Sequence, residues 1–235
     1  MWLAQTGRPG WFKSFGVEAP FAYWTLGTLQ VLALVVALTS VGHACCCRTP
    51  VAGSPAMIII APYDHAWPVM FAAEAARLER ALGDLALRIE HVGSTAVPGL
   101  AAKPVIDIQV SVPSLEPLDR YRTSLAELGY TYFSLGAFDL VYPFFKKPAG
   151  WPSTHHAHLC VVGSEQERDH LAFRDFLRRN PSVAAEYAAL KLGLAAAHDG
   201  LTLASQEHYS LSKTEFVRSV ITRALVESRA PTRAG

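Results

Sequence analysis

Residues 87–112 read LRIEHVGSTAVPGLAAKPVIDIQVSV, and this stretch decides the fold. Leu87 to Val92 alternates apolar and polar residues and reads as a strand. Gly93-Ser94-Thr95-Ala96-Val97-Pro98-Gly99 is a turn-rich connection, and residues 105–112 form the best strand pattern in the chain, β-branched and strictly alternating from Ile106 to Val112. With a side-chain period of two, Asp107, Gln109 and Ser111 share one face, while Ile106, Ile108, Val110 and Val112 fill the other. An acid in the middle of such a strand needs a partner, because an unpaired buried carboxylate is expensive. The plain alternative is a satisfied aspartate at the open end of a sheet.

Working outward, Ile58-Ile59-Ile60 reads as a short strand or arm. Asp64 is placed to cap a helix over 66–82, with Phe71, Ala75, Leu78 and Leu82 at helical spacing and Gly83 as its stop. Pro117 opens a second helix that runs to Leu128. Residues 130–134 and 138–145 read as strands of a hairpin, and 154–162 (THHAHLCVV is 154–162) as a further strand. From Glu165 the pattern is helical, with Asn180-Pro181 as a stop and restart and a last helix over 205–226. The expected fold is α+β: one domain with a mixed sheet of four to six strands and a helical C-terminal half.

The 235 residues are 51% apolar and 17% charged, with a mean hydropathy of +0.19. This apolarity is uneven. From Ala19 to Cys47 there is no Asp, Glu, Lys or Arg, and residues 1–56 carry only Arg8, Lys13, Glu18 and Arg48. An uncharged run of this length is able to span a bilayer as a helix, which needs about 20 residues. Three readings of the segment stay open: an N-terminal hydrophobic helix acting as a membrane anchor through residues 19–47, a cleaved signal peptide, or an extension upstream of a start at Met57. Residues 57–228 form the expected domain, and 229–235 a disordered tail. The domain reads as cytoplasmic, and as membrane-anchored if the leader is genuine. Cys45, Cys46 and Cys47 abut the apolar run and Cys160 stands alone, so no disulfide framework is expected. A net charge of +1 argues against a generally basic nucleic-acid binder.

Three features carry chemistry. The Gly93-Ser94 corner leaves backbone N–H groups and a hydroxyl free for phosphate oxygens, although most Gly-Ser pairs are simply turns. Asp107 follows it on the next strand. In His155-His156-Ala157-His158, strand geometry turns His156 and His158 to one face with Cys160, and two histidines so spaced are able to converge on one metal. Surface or hydrogen-bonded histidines are the alternative. Lys103, Lys146, Lys147, Lys191 and Lys213 are candidate phosphate contacts, of which at least three read as solvated side chains.

Residues 89–108 closely resemble the signature of the GrpB family. So do Ala61-Pro62-Tyr63-Asp64 with Trp67-Pro68, the Thr154–His158 run, residues 170–177, residues 187–191 and the segment from Tyr209 through Lys213. The resemblance implies a nucleotidyltransferase-like mixed β-sheet flanked by helices. It implies Gly93, Ser94, Thr95 and Lys103 at phosphate, Asp107 as catalytic metal ligand, His156 and His158 beside it on the metal, and His91 and Gln109 supporting them. A divalent cation (Mg²⁺ or Mn²⁺, with Zn²⁺ also suited), a nucleoside triphosphate and a small-molecule acceptor follow as expected partners, with no nucleic acid. The superfamily pattern asks for a second acid two residues after the first, and this chain has Gln109 there. An Asp plus two His suits Mn²⁺, Fe²⁺ or Zn²⁺ better than Mg²⁺. The same residues suit a metal-dependent hydrolase. Gln109 also suits a non-catalytic interaction or folding-accessory module, like the GrpB-like domains fused behind dephospho-CoA kinases.

Overall fold

The computed structural model describes residues 58–134, 139–149, 152–198 and 203–229. The hydrophobic leader and the tail beyond Arg229 lie outside these residues, so the readings made of them rest on sequence. Among the described residues, no helix is long and apolar enough to cross a membrane.

Five strands form one mixed sheet: β1 (Arg88–Val92), β2 (Ile106–Val112), β3 (Thr131–Phe133), β4 (Phe144–Lys147) and β5 (His155–Val161), in the order β1-β2-β5-β4-β3. β2 and β5 run parallel at the centre, and the other neighbours are antiparallel. Six helices, α1 (Ala66–Leu82), α2 (Asp119–Glu127), α3 (Glu165–Arg179), α4 (Pro181–Ala197), α5 (Leu203–Leu211) and α6 (Thr214–Arg229), complete the described fold. The α+β expectation therefore stands.

The alternation of β2 separates two environments. Ile106, Ile108, Val110 and Val112 pack with Ala157 and Leu159 against Trp67, Leu78 and Leu82 of α1 and Tyr121 and Leu125 of α2. The opposite face carries Asp107, Gln109 and Ser111 and meets α3, whose Phe173, Phe176 and Leu177 join α4 and α6 in a second core. The cap position of α1 falls on His65, not Asp64: Asp64 stands one residue earlier, where its side chain accepts from Ala66 N–H at 2.8 Å. The Ile58–Ile60 arm leads to Ala61, which pairs with Ala102 through hydrogen bonds of 2.8 and 2.9 Å.

Three further local readings change. α2 starts at Asp119, two residues after Pro117. The strand expected over 138–145 begins only at Phe144, because Pro143 has no N–H for the ladder, and its carbonyl instead accepts from Leu159. The single last helix is two: α5 and α6 are separated at Ser212-Lys213, where the Ser212 hydroxyl bonds back to the His208 carbonyl at 2.7 Å.

Candidate functional site

The parallel pairing of β2 and β5 sets Asp107 opposite His156 and Gln109 opposite His158 on one face. His156 Nδ1 lies 3.2 Å and His158 Nε2 4.0 Å from Asp107 Oδ1. One ligand atom from each of the three side chains falls within 4.8 Å of the others. The expected trio is thus brought together. Burial on its own would raise the Asp107 pKa, but hydrogen bonds and charge from His156 and His158 hold its carboxyl well below the usual range. Burial lowers the His158 pKa against the pull of Asp107, which favours a neutral imidazole with a free lone pair.

β1 ends in the Gly-Ser corner beside this trio. Gly93 has φ +70°, and Ser94–Ala96 make one short 3-10 turn. The corner is held from behind by α3: Arg174 donates to the His91 carbonyl at 3.0 Å and Arg178 to the Ala96 carbonyl at 2.8 and 2.9 Å. Arg174 also pairs with Glu90 at 2.6 Å and Asp175 at 2.7 Å. Thr95 is buried and its hydroxyl donates to the Val105 carbonyl at 3.1 Å, with His91 Nε2 3.0 Å away. His91 stacks on Phe71, and burial pushes its pKa down to about 4. The side chains of His91 and Thr95 therefore fix the corner, while the Ser94 hydroxyl sits against that of Tyr187.

Gln109 is fully buried, and its Oε1 lies 2.7 Å from His170 Nδ1 on α3. His170 also bonds the Tyr142 hydroxyl, and the Tyr142 ring stacks on His158 at 4.9 Å. Burial keeps His170 neutral, its pKa near 3. The amide that replaces the expected second acid thus anchors a His170–Tyr142–His158 stack. His170 and Tyr142 were not legible as site residues, although His170 opens one of the segments that carry the resemblance.

Gly93, Ser94, Lys103, Asp107, His156 and His158 line one cavity of ≈130 Å³, together with residues of the helical half: Tyr187, Lys191, Tyr209 and Lys213. The expectation that at least three of the five candidate lysines are merely solvated is corrected. Lys103, Lys191 and Lys213 reach the cavity, Lys147 pairs with buried Glu74 at 2.8 Å, and Lys146 lies over the Phe133 ring at 3.8 Å. Burial lowers the Lys103 pKa to about 8 and the Lys191 pKa to about 7. Burial, then the charges of Lys103 and Lys191, lowers that of Lys213 well below its ordinary value. Cys160 is different: burial raises its thiol to about 12, leaving it inert.

Taken together, the chain is an α+β domain with a histidine–carboxylate cluster and a lysine-lined cavity on one face of its sheet. Residues 57–223 match the family described as GrpB protein, and the chain belongs to that family. It is 41% identical over 177 residues to a UPF0157 protein of Pseudomonas aeruginosa, covering 74% of this chain and 70% of that one. The glutamate-rich protein GrpB of Alkalihalophilus pseudofirmus is 32% identical, with 70% and 94% covered. The crystal structure of the conserved protein GrpB from Enterococcus faecalis superposes with a TM-score of 0.64 at 36% identity, covering 73% of this chain and all of that one. A dephospho-CoA kinase of Mycolicibacterium paratuberculosis is 33% identical over 168 residues, but the match spans only 41% of the kinase.

Proposed function

We propose that the domain moves a nucleotidyl group from a nucleoside triphosphate to a small acceptor, using a divalent cation held by Asp107, His156 and His158. The observation that carries this reading is the meeting of those three ligand atoms within 4.8 Å at the wall of a cavity that also contains the Gly93-Ser94 corner. The residues fit a cation. One carboxylate oxygen and two imidazoles suit Mn²⁺ or Zn²⁺ better than Mg²⁺, and His156 Nδ1 and His158 Nε2 both face Asp107 Oδ1, at 3.2 and 4.0 Å. Such an ion neutralises charge on phosphate oxygens.

The rest falls to the chain itself. Backbone N–H groups at Gly93 and Ser94 hold phosphate oxygens, and Lys103 adds a cation. The acceptor hydroxyl oxygen bonds to the α-phosphorus as the bond to pyrophosphate breaks, and the hydroxyl proton passes to solvent. The mixed sheet with the corner after β1 and the acid on β2 supports a nucleotidyltransferase-superfamily assignment. Titration calorimetry with ATP, GTP, CTP and UTP in the presence of Mn²⁺ tests the reading. Binding abolished by Asp107→Ala is expected, and no heat with any nucleotide overturns it.

A second reading, a non-catalytic interaction or folding-accessory module, is favoured by Gln109 at the second-acid position and by the likeness to part of dephospho-CoA kinases. Purified protein that is free of metal and silent to nucleotides, yet forms a stable complex with a kinase domain of that type, would decide for it.

A further inference from the structure

Three lysines from three separate parts of the chain meet in the cavity: Lys103 from the loop before β2, Lys191 from α4, and Lys213 from the break between α5 and α6. Lys191 is 2% exposed, and none of the three makes an ion pair with a carboxylate among the described residues. Elsewhere the fold supplies acids to buried or half-buried cations, as Glu74 for Lys147 and Glu90 with Asp175 for Arg174. Here it supplies neutral groups. Lys191 donates to the Ala101 carbonyl and lies over the Tyr187 ring at 4.6 Å. Tyr209 takes Lys103 on its ring at 4.7 Å and Lys213 at 4.1 Å. Cation–π contacts steady a cation without neutralising it, and Asp107, the one carboxylate lining the cavity among the described residues, is already engaged by His156 and His158.

Like charges gathered in a cavity without counter-ions are costly, and such a group either gives up protons or gains an anion. We infer that Lys103, Lys191 and Lys213 form a receptor for a linear triphosphate chain, and that the site reads the chain and not the base. Three cations ask for several negative charges, and a single phosphate meets them incompletely. At ≈130 Å³ the cavity is well below the roughly 300–1,000 Å³ of pockets that enclose a whole drug-sized ligand. It therefore encloses phosphates while a nucleoside projects through the mouth. The inference deepens the nucleotide reading above and shares its cavity, but the lysine receptor needs no metal.

The test is calorimetric titration of the full chain with inorganic phosphate, pyrophosphate and tripolyphosphate in EDTA, then with the four NTPs in EDTA and in Mn²⁺. Tripolyphosphate is expected to bind in EDTA at least about tenfold more tightly than phosphate. Lys191→Met and Lys213→Met should each weaken it by roughly tenfold or more, the scale of one lost charge-assisted contact. Lys146→Met, outside the cavity, should leave it unchanged, and melting curves confirm that each variant is folded. The four NTPs should agree within about threefold, which marks the phosphate chain as the shared ligand. Equal affinity for phosphate and tripolyphosphate, insensitivity to both cavity variants, or a tenfold base preference overturns the inference. Tripolyphosphate binding in EDTA that survives Asp107→Ala, with no Mn²⁺-dependent nucleotide binding, sustains the receptor while removing nucleotidyl transfer. Metal-dependent nucleotide binding without any tripolyphosphate binding does the reverse.

Discussion

A Cβ at position 93 would sit 2.3 Å from Asp107 Oδ2 and 3.0 Å from Asp107 Cβ. Gly93 and Asp107 are therefore a steric pair: the corner passes so close to the acid that only a glycine fits. The φ of +70° makes the same demand independently. Gly93→Ala should displace Asp107 or the corner, costing roughly 2–4 kcal/mol of stability by combining overlap with a left-handed backbone. Chemical denaturation measures the loss. An alanine variant with wild-type stability and wild-type metal affinity would show that the corner and the acid are not in fact so close.

The histidine–carboxylate trio gives a second expectation. Protein purified without a histidine tag and incubated with Mn²⁺ or Zn²⁺ should retain about one ion per chain and melt at a higher temperature, because a ligand bound only by the folded state stabilises it. Asp107→Asn should keep the fold and lower the affinity by at least tenfold, since a neutral amide is a poorer ligand than a carboxylate. EDTA should return the melting temperature to that of the untreated protein. A thermal shift that Asp107→Asn and His156→Ala leave intact would place the ion elsewhere.

The sheet and the trio were visible in the sequence because both are written in a period of two. Alternation from Ile106 to Val112 separates core from site, and the same rule turns His156 and His158 toward Asp107 once β2 and β5 pair in parallel. The α5–α6 break was hidden because apolar spacing continues across it. At the break the Lys213 N–H turns to the Ser210 carbonyl at 3.3 Å, and the break carries Lys213 to the cavity. The lysines could not be sorted locally. Lys147 and Lys191 look alike in sequence, and what separates them is whether a distant element brings an acid, as α1 brings Glu74 to Lys147. Gln109 looked like a missing ligand because its partner, His170, arrives from a helix far along the chain.

Lys191 makes a prediction about pH. Its pKa falls from an ordinary value near 10.5 to about 7 because it is buried. Between those values the unfolded chain holds the proton and the native chain does not, so this group makes stability rise with pH across that window. Below pH 7 the native state carries the charged lysine at a cost. Stability from urea denaturation at pH 6.5 and pH 9 should therefore increase by roughly 1–3 kcal/mol more in the native chain than in Lys191→Met. Parallel pH profiles for the two proteins would contradict it.

Asp169 predicts the opposite slope. It is 4% exposed on α3, its Oδ1 has no hydrogen-bond partner, and its nearest cation, Arg168 Nε, is 3.8 Å away. Burial, reinforced by Glu165, raises its pKa from 3.8 to about 6. The native state thus holds this proton more tightly than the unfolded chain, and stability falls as pH rises from about 4 to about 6. Above pH 6 the full cost of a buried, poorly paired carboxylate is present. Asparagine mimics the protonated form without that cost. Asp169→Asn should be more stable than the native chain at pH 7 by roughly 1–3 kcal/mol, with the difference shrinking toward zero near pH 4. Since other groups titrate identically in both proteins, the difference between the two denaturation curves isolates this one carboxyl, and a gap that does not change with pH would show that it titrates normally.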